Sequence, residues 1–227
     1  MRGVMDRIPQ KQVGIIMMGS GEAEKISDVI NIFGEEIKVH VRGIVDGYTY
    51  EYIRENLWPK DNEPFIVSKI KNNQNIMVSE EKAKKLVNLK IQELADAGIH
   101  HVLIFCTGHF DKATAKGCII IPENVICGIL TGLGLSSVGV IVPEEGQIPD
   151  SLKQYGAFNP IIRAASPYKD MADLRKTAEK FREEAVELIL TDCMGFTEAM
   201  GESVRKASGK NVLVPRVLIP AMMKHLI

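Results

Sequence analysis

The sequence alternates between short, nearly continuous apolar runs and longer segments in which apolar residues recur at helical spacing. Runs such as VGIIMMG (13–19), HVLIFC (101–106) and SSVGVIVP (136–143) are typical of strands that are buried on both faces. Segment 79–98 predicts a helix, because it begins at Ser79, has acidic residues in its first turn and ends at a glycine. Further strands are predicted at 37–47, 160–166, 187–193 and 211–215, and further helices at 168–185, 197–207 and 217–226. This alternation predicts an α/β fold of mainly parallel sheets flanked by helices.

The apolar runs also form two similar sets. VGIIMMGSG, from Val13, resembles VGVIVPEEG, from Val138, and LIFCTGHF resembles LILTDCMGF. A segment rich in asparagine, aromatic residues and proline lengthens the first set. We therefore predict two pseudo-symmetric lobes of similar plan, with a cleft between them. The predicted first lobe comprises residues 1–130 with 211–227 and carries the inserted segment at about 43–80; the second comprises residues 131–210.

Charge and hydropathy exclude several classes of function. The chain has 28 Lys and Arg against 29 Asp and Glu, with no basic block, so neither nucleic acid nor an anionic membrane is an expected partner. No apolar run approaches the ~20 residues that cross a bilayer, and the first residues lack the pattern of a signal peptide. We therefore expect a cytoplasmic protein whose four cysteines are free thiols.

Neither a metal nor a cofactor is indicated. Cys106 and His109 are spaced C-x-x-H, but no second pair of ligands follows at a spacing typical of zinc. GSGEAE and GLGLSS are incomplete dinucleotide fingerprints, because the third glycine is missing from each. We expect any chemistry to be cofactor-independent.

Two cysteines occupy equivalent positions in the two sets. Cys106 and Cys193 each come at the carboxyl end of a predicted strand, just before a turn that contains glycine. Ligands bind at this edge of parallel sheets, and the start of a following helix favours anions and thiolates. A free cysteine can also fill a buried strand end without reacting, which explains either residue alone. The matched pair favours two functional thiols that face one cleft.

Two neighbours of these cysteines are auxiliary candidates. His109 is either a residue that tunes the thiol or transfers protons, or an exposed loop histidine. Asp192 disfavours a Cys193 thiolate if its side chain faces the same way, or otherwise fixes a loop.

Four segments together resemble the AroM-like family, which is grouped with the aspartate/glutamate racemase superfamily. They are LIFCTGHF, the IPEN turn, VGVIVPEEGQ and the ending LILTDCMGFTEAMGESVRKASGKNVLVPRVLIP. The resemblance extends from Val13 to the C-terminus and is strongest in the last 40 residues. It implies the two-lobed racemase fold with the active site between the lobes, and a homodimer is the family-level expectation.

The resemblance also implies roles for particular residues. Superfamily relatives have C-N-T after a strand of the first half and G-C-T-E or G-C-A-G-M in the second. Cys106 and Cys193 fall on these motifs as an opposed acid/base pair, although this chain has CTG in the first and Asp192 and Met194 around the second cysteine. Ser20 lies in a loop that grips the substrate carboxylate in relatives. The substrate-binding residues implied are Ser20, Thr107, Gly108, Gly195 and Thr197.

Two classes of function remain open. The first is a racemase, epimerase or isomerase that acts at the carbon α to the carboxylate of a small acid, which requires a desolvated thiolate and stabilisation of enolate-like charge. Racemisation, epimerisation and cis–trans isomerisation through a thiol adduct all suit two cysteines, whereas decarboxylation needs one. The alternative is a non-catalytic protein linked to aromatic amino-acid biosynthesis, as the family's name implies, which binds a small acid or stabilises a partner.

Overall fold

A computed structural model describes residues 11–110 and 117–227. The strands, numbered in chain order, are β1 Lys11–Met17, β2 Ile37–Gly43, β3 Phe65–Lys69, β4 Asn75–Ser79, β5 His101–Phe105, β6 Cys118–Ile120, β7 Val138–Val142, β8 Ile161–Ala164, β9 Leu188–Thr191 and β10 Asn211–Leu213. The α-helices of these residues are α1 Ser27–Phe33, α2 Tyr50–Asn56, α3 Glu80–Asp96, α4 Pro122–Gly132, α5 Ile148–Tyr155, α6 Met171–Glu179, α7 Glu198–Ser208 and α8 Pro215–Leu226.

Two parallel sheets of the same topology form the fold. The first has the order β2-β1-β5-β6 and the second the order β8-β7-β9-β10, so that β1 corresponds to β7 and β5 to β9. The predicted α/β fold with two pseudo-symmetric lobes is therefore confirmed. Buried side chains from both sheets meet in one hydrophobic cluster, which includes Ile15, Phe105 and Val140.

The helix predicted at 79–98 is confirmed as α3. The Ser79 hydroxyl accepts a hydrogen bond from the Lys82 N–H at its start, and Val87 and Leu94 are among the residues that it buries. The helix ends before Gly98, whose φ of +77° lies in the left-handed region that glycine adopts without strain.

The inserted segment forms α2 and the antiparallel hairpin β3–β4, hereafter the inserted hairpin. The sequence patterns did not predict this hairpin, α2, α4, α5 or β6. Helices α4 and α5 each have a proline in their first turn, Pro122 and Pro149, which is a common start signal.

The path of the last residues corrects one detail of the predicted lobe division. Residues 211–227 were expected in the first lobe, but β10 pairs with β9 in the second sheet. The helix that follows, α8, packs against α1 and α4, which flank the first sheet. The rest of the division at 130/131 stays a prediction. No helix within 11–110 or 117–227 has the length and apolarity needed to cross a membrane.

Candidate active site

The turns that follow β5 and β9 have the same geometry around their cysteines. The Sγ of Cys106 accepts the Gly108 N–H at 3.4 Å, and the Sγ of Cys193 accepts the Gly195 N–H at 3.2 Å. Each cysteine N–H donates to the carbonyl two residues earlier, at 2.9 Å and 2.8 Å respectively. The sequence similarity between the two sets thus extends to matched hydrogen bonds at both thiols.

Both cysteines line one cavity of about 680 Å³ between the lobes, hereafter the central cavity. The inserted hairpin contributes to its wall through Phe65 and Lys69. His109, Asp192 and four of the five predicted substrate-binding residues also line it: Thr107, Gly108, Gly195 and Thr197. The carboxyl ends of the strands of two lobes therefore open into one space, as expected for parallel sheets.

Burial makes both thiols weak acids. It raises the pKa of Cys106 to about 12, against the opposing effect of the Gly108 N–H. It raises the pKa of Cys193 to about 11, opposed by the Gly195 N–H, the Tyr168 hydroxyl and the positive charge of Arg216. The surroundings therefore favour a thiolate at Cys193 over one at Cys106.

Tyr168 is a residue of the site that sequence reasoning missed. It lies in the loop after β8, and its hydroxyl hydrogen-bonds to Cys193; the nearby sulfur raises the pKa of the tyrosine. A Cβ at Gly195 would lie 2.7 Å from the Tyr168 oxygen, so glycine leaves room for this contact. No periodic pattern marks a loop tyrosine, so the sequence carried no signal for it.

Asp192 both fixes a loop and opposes a thiolate at Cys193. The buried carboxylate accepts hydrogen bonds from the Tyr155 hydroxyl at 3.0 Å, the Ser151 hydroxyl at 3.3 Å and the Thr107 side chain. Burial outweighs these bonds and raises the Asp192 pKa to about 6, and its charge raises the pKa of Cys193. Because Thr107 follows Cys106, Asp192 connects the two cysteine turns.

His109 and Arg216 form side-chain pairs at the edge of the central cavity. The Nδ1 of His109 is 2.8 Å from the Glu123 carboxylate at the start of α4. Arg216, at the equivalent place in α8, forms two hydrogen bonds to Asp28 and donates to the Met194 carbonyl at 2.8 Å. Arg216 thereby connects α8 to α1 and to the turn that contains Cys193.

Ser20 lies apart from the other four predicted substrate-binding residues. Among the described residues Ser20 is not part of the cavity lining, and its hydroxyl accepts the Lys71 N–H at 3.2 Å. A Cβ at Gly19 would lie 2.0 Å from the Lys69 carbonyl oxygen. The loop that the resemblance assigned to a carboxylate is therefore in contact with the end of the inserted hairpin, and a contact of Ser20 with a substrate stays a prediction.

The remaining predicted substrate-binding groups already have protein partners. The Thr107 side chain bonds to Asp192, and the Thr197 hydroxyl accepts the Met200 N–H at 3.4 Å as the N-cap of α7. The N–H groups of Gly108 and Gly195 point to the sulfurs. Their contact with a substrate stays a prediction. Residues 11–110 and 117–227 contain no group of three or more His, Cys, Asp or Glu side chains arranged to hold a metal ion.

Two similar lobes, each with a buried cysteine in the lining of a shared cavity, define a protein with the two-lobed α/β fold of racemases. The chain belongs to the AroM family, since the family model described as AroM protein matches residues 13–227. No curated protein matches the sequence significantly.

Solved structures share the fold at low sequence identity. A maleate isomerase from Pseudomonas putida S16 is 14% identical with a TM-score of 0.61, covering 95% of this chain and 92% of its own. An arylmalonate decarboxylase is 15% identical with a TM-score of 0.55, covering 94% and 88%. An aspartate racemase homologue from Pyrococcus horikoshii OT3 is 12% identical with a TM-score of 0.56, covering 95% and 98%. At such identities the similarity shows the fold alone.

Proposed function

We propose that the protein is a cofactor-independent racemase, epimerase or isomerase that moves a proton at the carbon α to the carboxylate of a small acid. The observation that carries this proposal is the pair of cysteines with matched turn geometry in one cavity. The printed names of the structural neighbours, an isomerase, a decarboxylase and a racemase homologue, support the class of chemistry.

The unequal surroundings of the thiols favour Cys193 as the base and Cys106 as the acid. Cys193 as thiolate removes the α-proton and becomes a thiol, while its former charge is carried by the enolate-like substrate. Cys106, whose thiol has the higher pKa, gives its proton to the opposite face of that carbon and becomes the thiolate. The proton count balances, and the reverse reaction uses the two cysteines in exchanged roles. Tyr168 and the Gly195 N–H support the Cys193 thiolate.

Deuterium exchange tests the proposal directly. The protein is incubated with a panel of chiral 2-substituted carboxylic acids in deuterated water, and loss of the α-proton is followed by NMR. We expect exchange with at least one acid, and its loss in both Cys106→Ser and Cys193→Ser. Cys127→Ser is the matched control, because this cysteine packs against the core and belongs to neither turn; it should keep the exchange.

A specific observation favours a second candidate, a non-catalytic protein that binds a small acid. Both thiols have raised pKa values, which keep them protonated near neutral pH. Binding of an acid by calorimetry, with no α-exchange and no effect of either cysteine substitution, would support this candidate and refute the enzyme.

A further inference from the structure

Among the described residues that line the central cavity, one lysine has no carboxylate partner within residues 11–110 and 117–227. Lys25 pairs with Glu22, Lys153 with Asp150 and Arg216 with Asp28. The ammonium of Lys69 lies 4.9 Å from the centroid of the Tyr168 ring, and within the described part of the chain it forms no ion pair. An uncompensated positive charge in a partly enclosed cavity attracts an anion.

The backbone of the inserted hairpin fixes this lysine. Lys69 is the last residue of β3 and pairs with Asn75 of β4. Its carbonyl accepts the Ser20 N–H at 3.2 Å, and the Gly19 backbone approaches the same carbonyl closely. Both contacts connect the hairpin to the loop after β1, so the base of the Lys69 side chain has a defined place beside the cavity.

Tyr168 connects Lys69 to Cys193. The ammonium faces the tyrosine ring, as in cation–π pairs, and the hydroxyl of the same ring hydrogen-bonds to the Cys193 thiol. Lys69 and Cys193 therefore contact the same tyrosine, Lys69 at the ring and Cys193 at the hydroxyl, and all three residues line one cavity. The aromatic ring adds no negative charge that would compete with an anion at Lys69.

We propose that Lys69, supplied by the inserted hairpin, binds the carboxylate of the ligand and places it beside Cys193. The choice of a small carboxylic acid as the ligand rests on the proposed function. In this arrangement Lys69 of the hairpin takes the role that the resemblance assigned to Ser20. Ser20 instead hydrogen-bonds to the backbone of Lys69 and Lys71. A ligand lacking an anionic group gains nothing from this residue.

Competing alkylation by two reagents tests this inference without requiring catalysis. The Cys193 thiolate displaces iodide from either iodoacetate, which carries a carboxylate, or iodoacetamide, its uncharged counterpart. Rates at Cys193 and Cys106 are measured separately by peptide mass spectrometry. The ratio of the two rates at Cys193 cancels the thiolate fraction and therefore reports the attraction of the carboxylate.

We expect Lys69→Met to lower the iodoacetate/iodoacetamide ratio at Cys193 about fivefold, as for one partly screened charge pair. Lys69→Arg should retain the ratio, and added salt should lower it in the natural protein but not in Lys69→Met. Lys153→Met is the matched control, because Lys153 lines the same cavity but is exposed and paired with Asp150; it should leave the ratio unchanged.

An unchanged ratio in Lys69→Met, or an equal fall in Lys153→Met, would overturn the inference. The iodoacetamide rate alone reports whether a variant has altered access to the cavity. If α-exchange occurs but the iodoacetate/iodoacetamide ratio does not depend on Lys69, the proposed function stands and the carboxylate binds elsewhere. If the ratio depends on Lys69 and no exchange occurs, the anion site stands and the catalytic proposal fails.

Discussion

The Tyr168 hydroxyl hydrogen-bonds to the sulfur of Cys193, so a loop after β8 influences the acidity of a thiol that follows β9. Cys106 has the matching glycine N–H, but within residues 11–110 and 117–227 no tyrosine hydroxyl hydrogen-bonds to its sulfur. The two cysteine turns therefore have similar backbone geometry, but the two sulfurs have different hydrogen-bond donors. This asymmetry makes the two thiols distinguishable by experiment.

Tyr168→Phe should make Cys193 a weaker acid, because the variant loses a donor to the thiolate. We expect alkylation of Cys193 by iodoacetamide at a fixed alkaline pH to slow about twofold to tenfold, as for the loss of one hydrogen bond. Both cysteine rates should rise with pH, since the thiolate is the reactive form and both pKa values are raised. An unchanged Cys193 rate, or an equal change at Cys106, would show that the tyrosine does not act on this thiol.

Gly195→Ala should reproduce the effect of Tyr168→Phe by steric means. The new methyl group would lie 2.7 Å from the Tyr168 oxygen and 2.9 Å from Pro167, so the tyrosine must move away from Cys193. Gly108→Ala is the matched control, because its Cβ would make an ordinary 3.5 Å contact with the Cys106 sulfur. Equal alkylation rates at Cys193 in the two variants would contradict the steric argument.

Asp192→Asn should change both the stability and the reactivity of the protein with pH. The folded-state pKa of Asp192, about 6, exceeds its ordinary 3.8, so the folded protein holds this proton more tightly than the unfolded chain. Its contribution to stability is complete below the ordinary pKa and declines by about 3 kcal/mol as the pH rises through 6. In Asp192→Asn this fall in the free energy of unfolding should be absent. Urea unfolding of both proteins at several pH values measures it.

The same substitution supplies a second measurement. The charge of Asp192 raises the pKa of Cys193, so Asp192→Asn should increase the alkylation rate of Cys193 above pH ~6, where the natural carboxylate is ionised. Parallel stability curves for the two proteins, together with equal Cys193 rates, would refute the assignment of the raised pKa to Asp192.

Arg216→Met should destabilise the protein by about 2–3 kcal/mol, less than for a fully buried pair because the Asp28 side chain is half exposed. The variant leaves Asp28 and the Met194 and Lys25 carbonyls without their donor. Asp28→Asn is the control, and it should cost less because the carbonyl bonds remain. Urea unfolding measures both, and a larger loss in Asp28→Asn would contradict the ranking.

The Asp28 contribution has the opposite pH dependence to that of Asp192. The hydrogen bond from Arg216 is the main cause that lowers the pKa of Asp28, so its contribution is complete above the ordinary value of 3.8 and is lost as the pH falls through the lower folded-state pKa. The difference in the free energy of unfolding between the natural protein and Asp28→Asn should therefore become smaller at low pH.

The sequence was informative where residues follow one another in regular patterns. Apolar runs predicted β1, β5 and β7, the Ser79 cap predicted the start of α3, and the repeated cysteine segments pointed to one cleft before any contact was known. These features depend on local periodicity and on similarity within the chain, both of which can be seen without a structure.

The contacts that the sequence did not reveal are long-range. The Ser20 loop looks like a ligand loop on its own, yet Lys71, 51 residues later, binds its hydroxyl. Tyr168 reaches Cys193 from a loop without periodicity, and Lys69 lines the cavity where the inserted hairpin contacts the loop after β1. Such positions follow from tertiary packing, which no local pattern encodes.

In the proposed function, Cys106 and Cys193 act on one carbon from opposite faces. The most direct measurement uses an acid that exchanges its α-proton and follows deuterium content and configuration together, starting from each pure enantiomer. We predict that the product enantiomer carries solvent deuterium at the α-carbon, and that Cys106→Ser and Cys193→Ser each abolish inversion while Cys127→Ser does not. Inversion that persists in either of the first two variants would contradict the account.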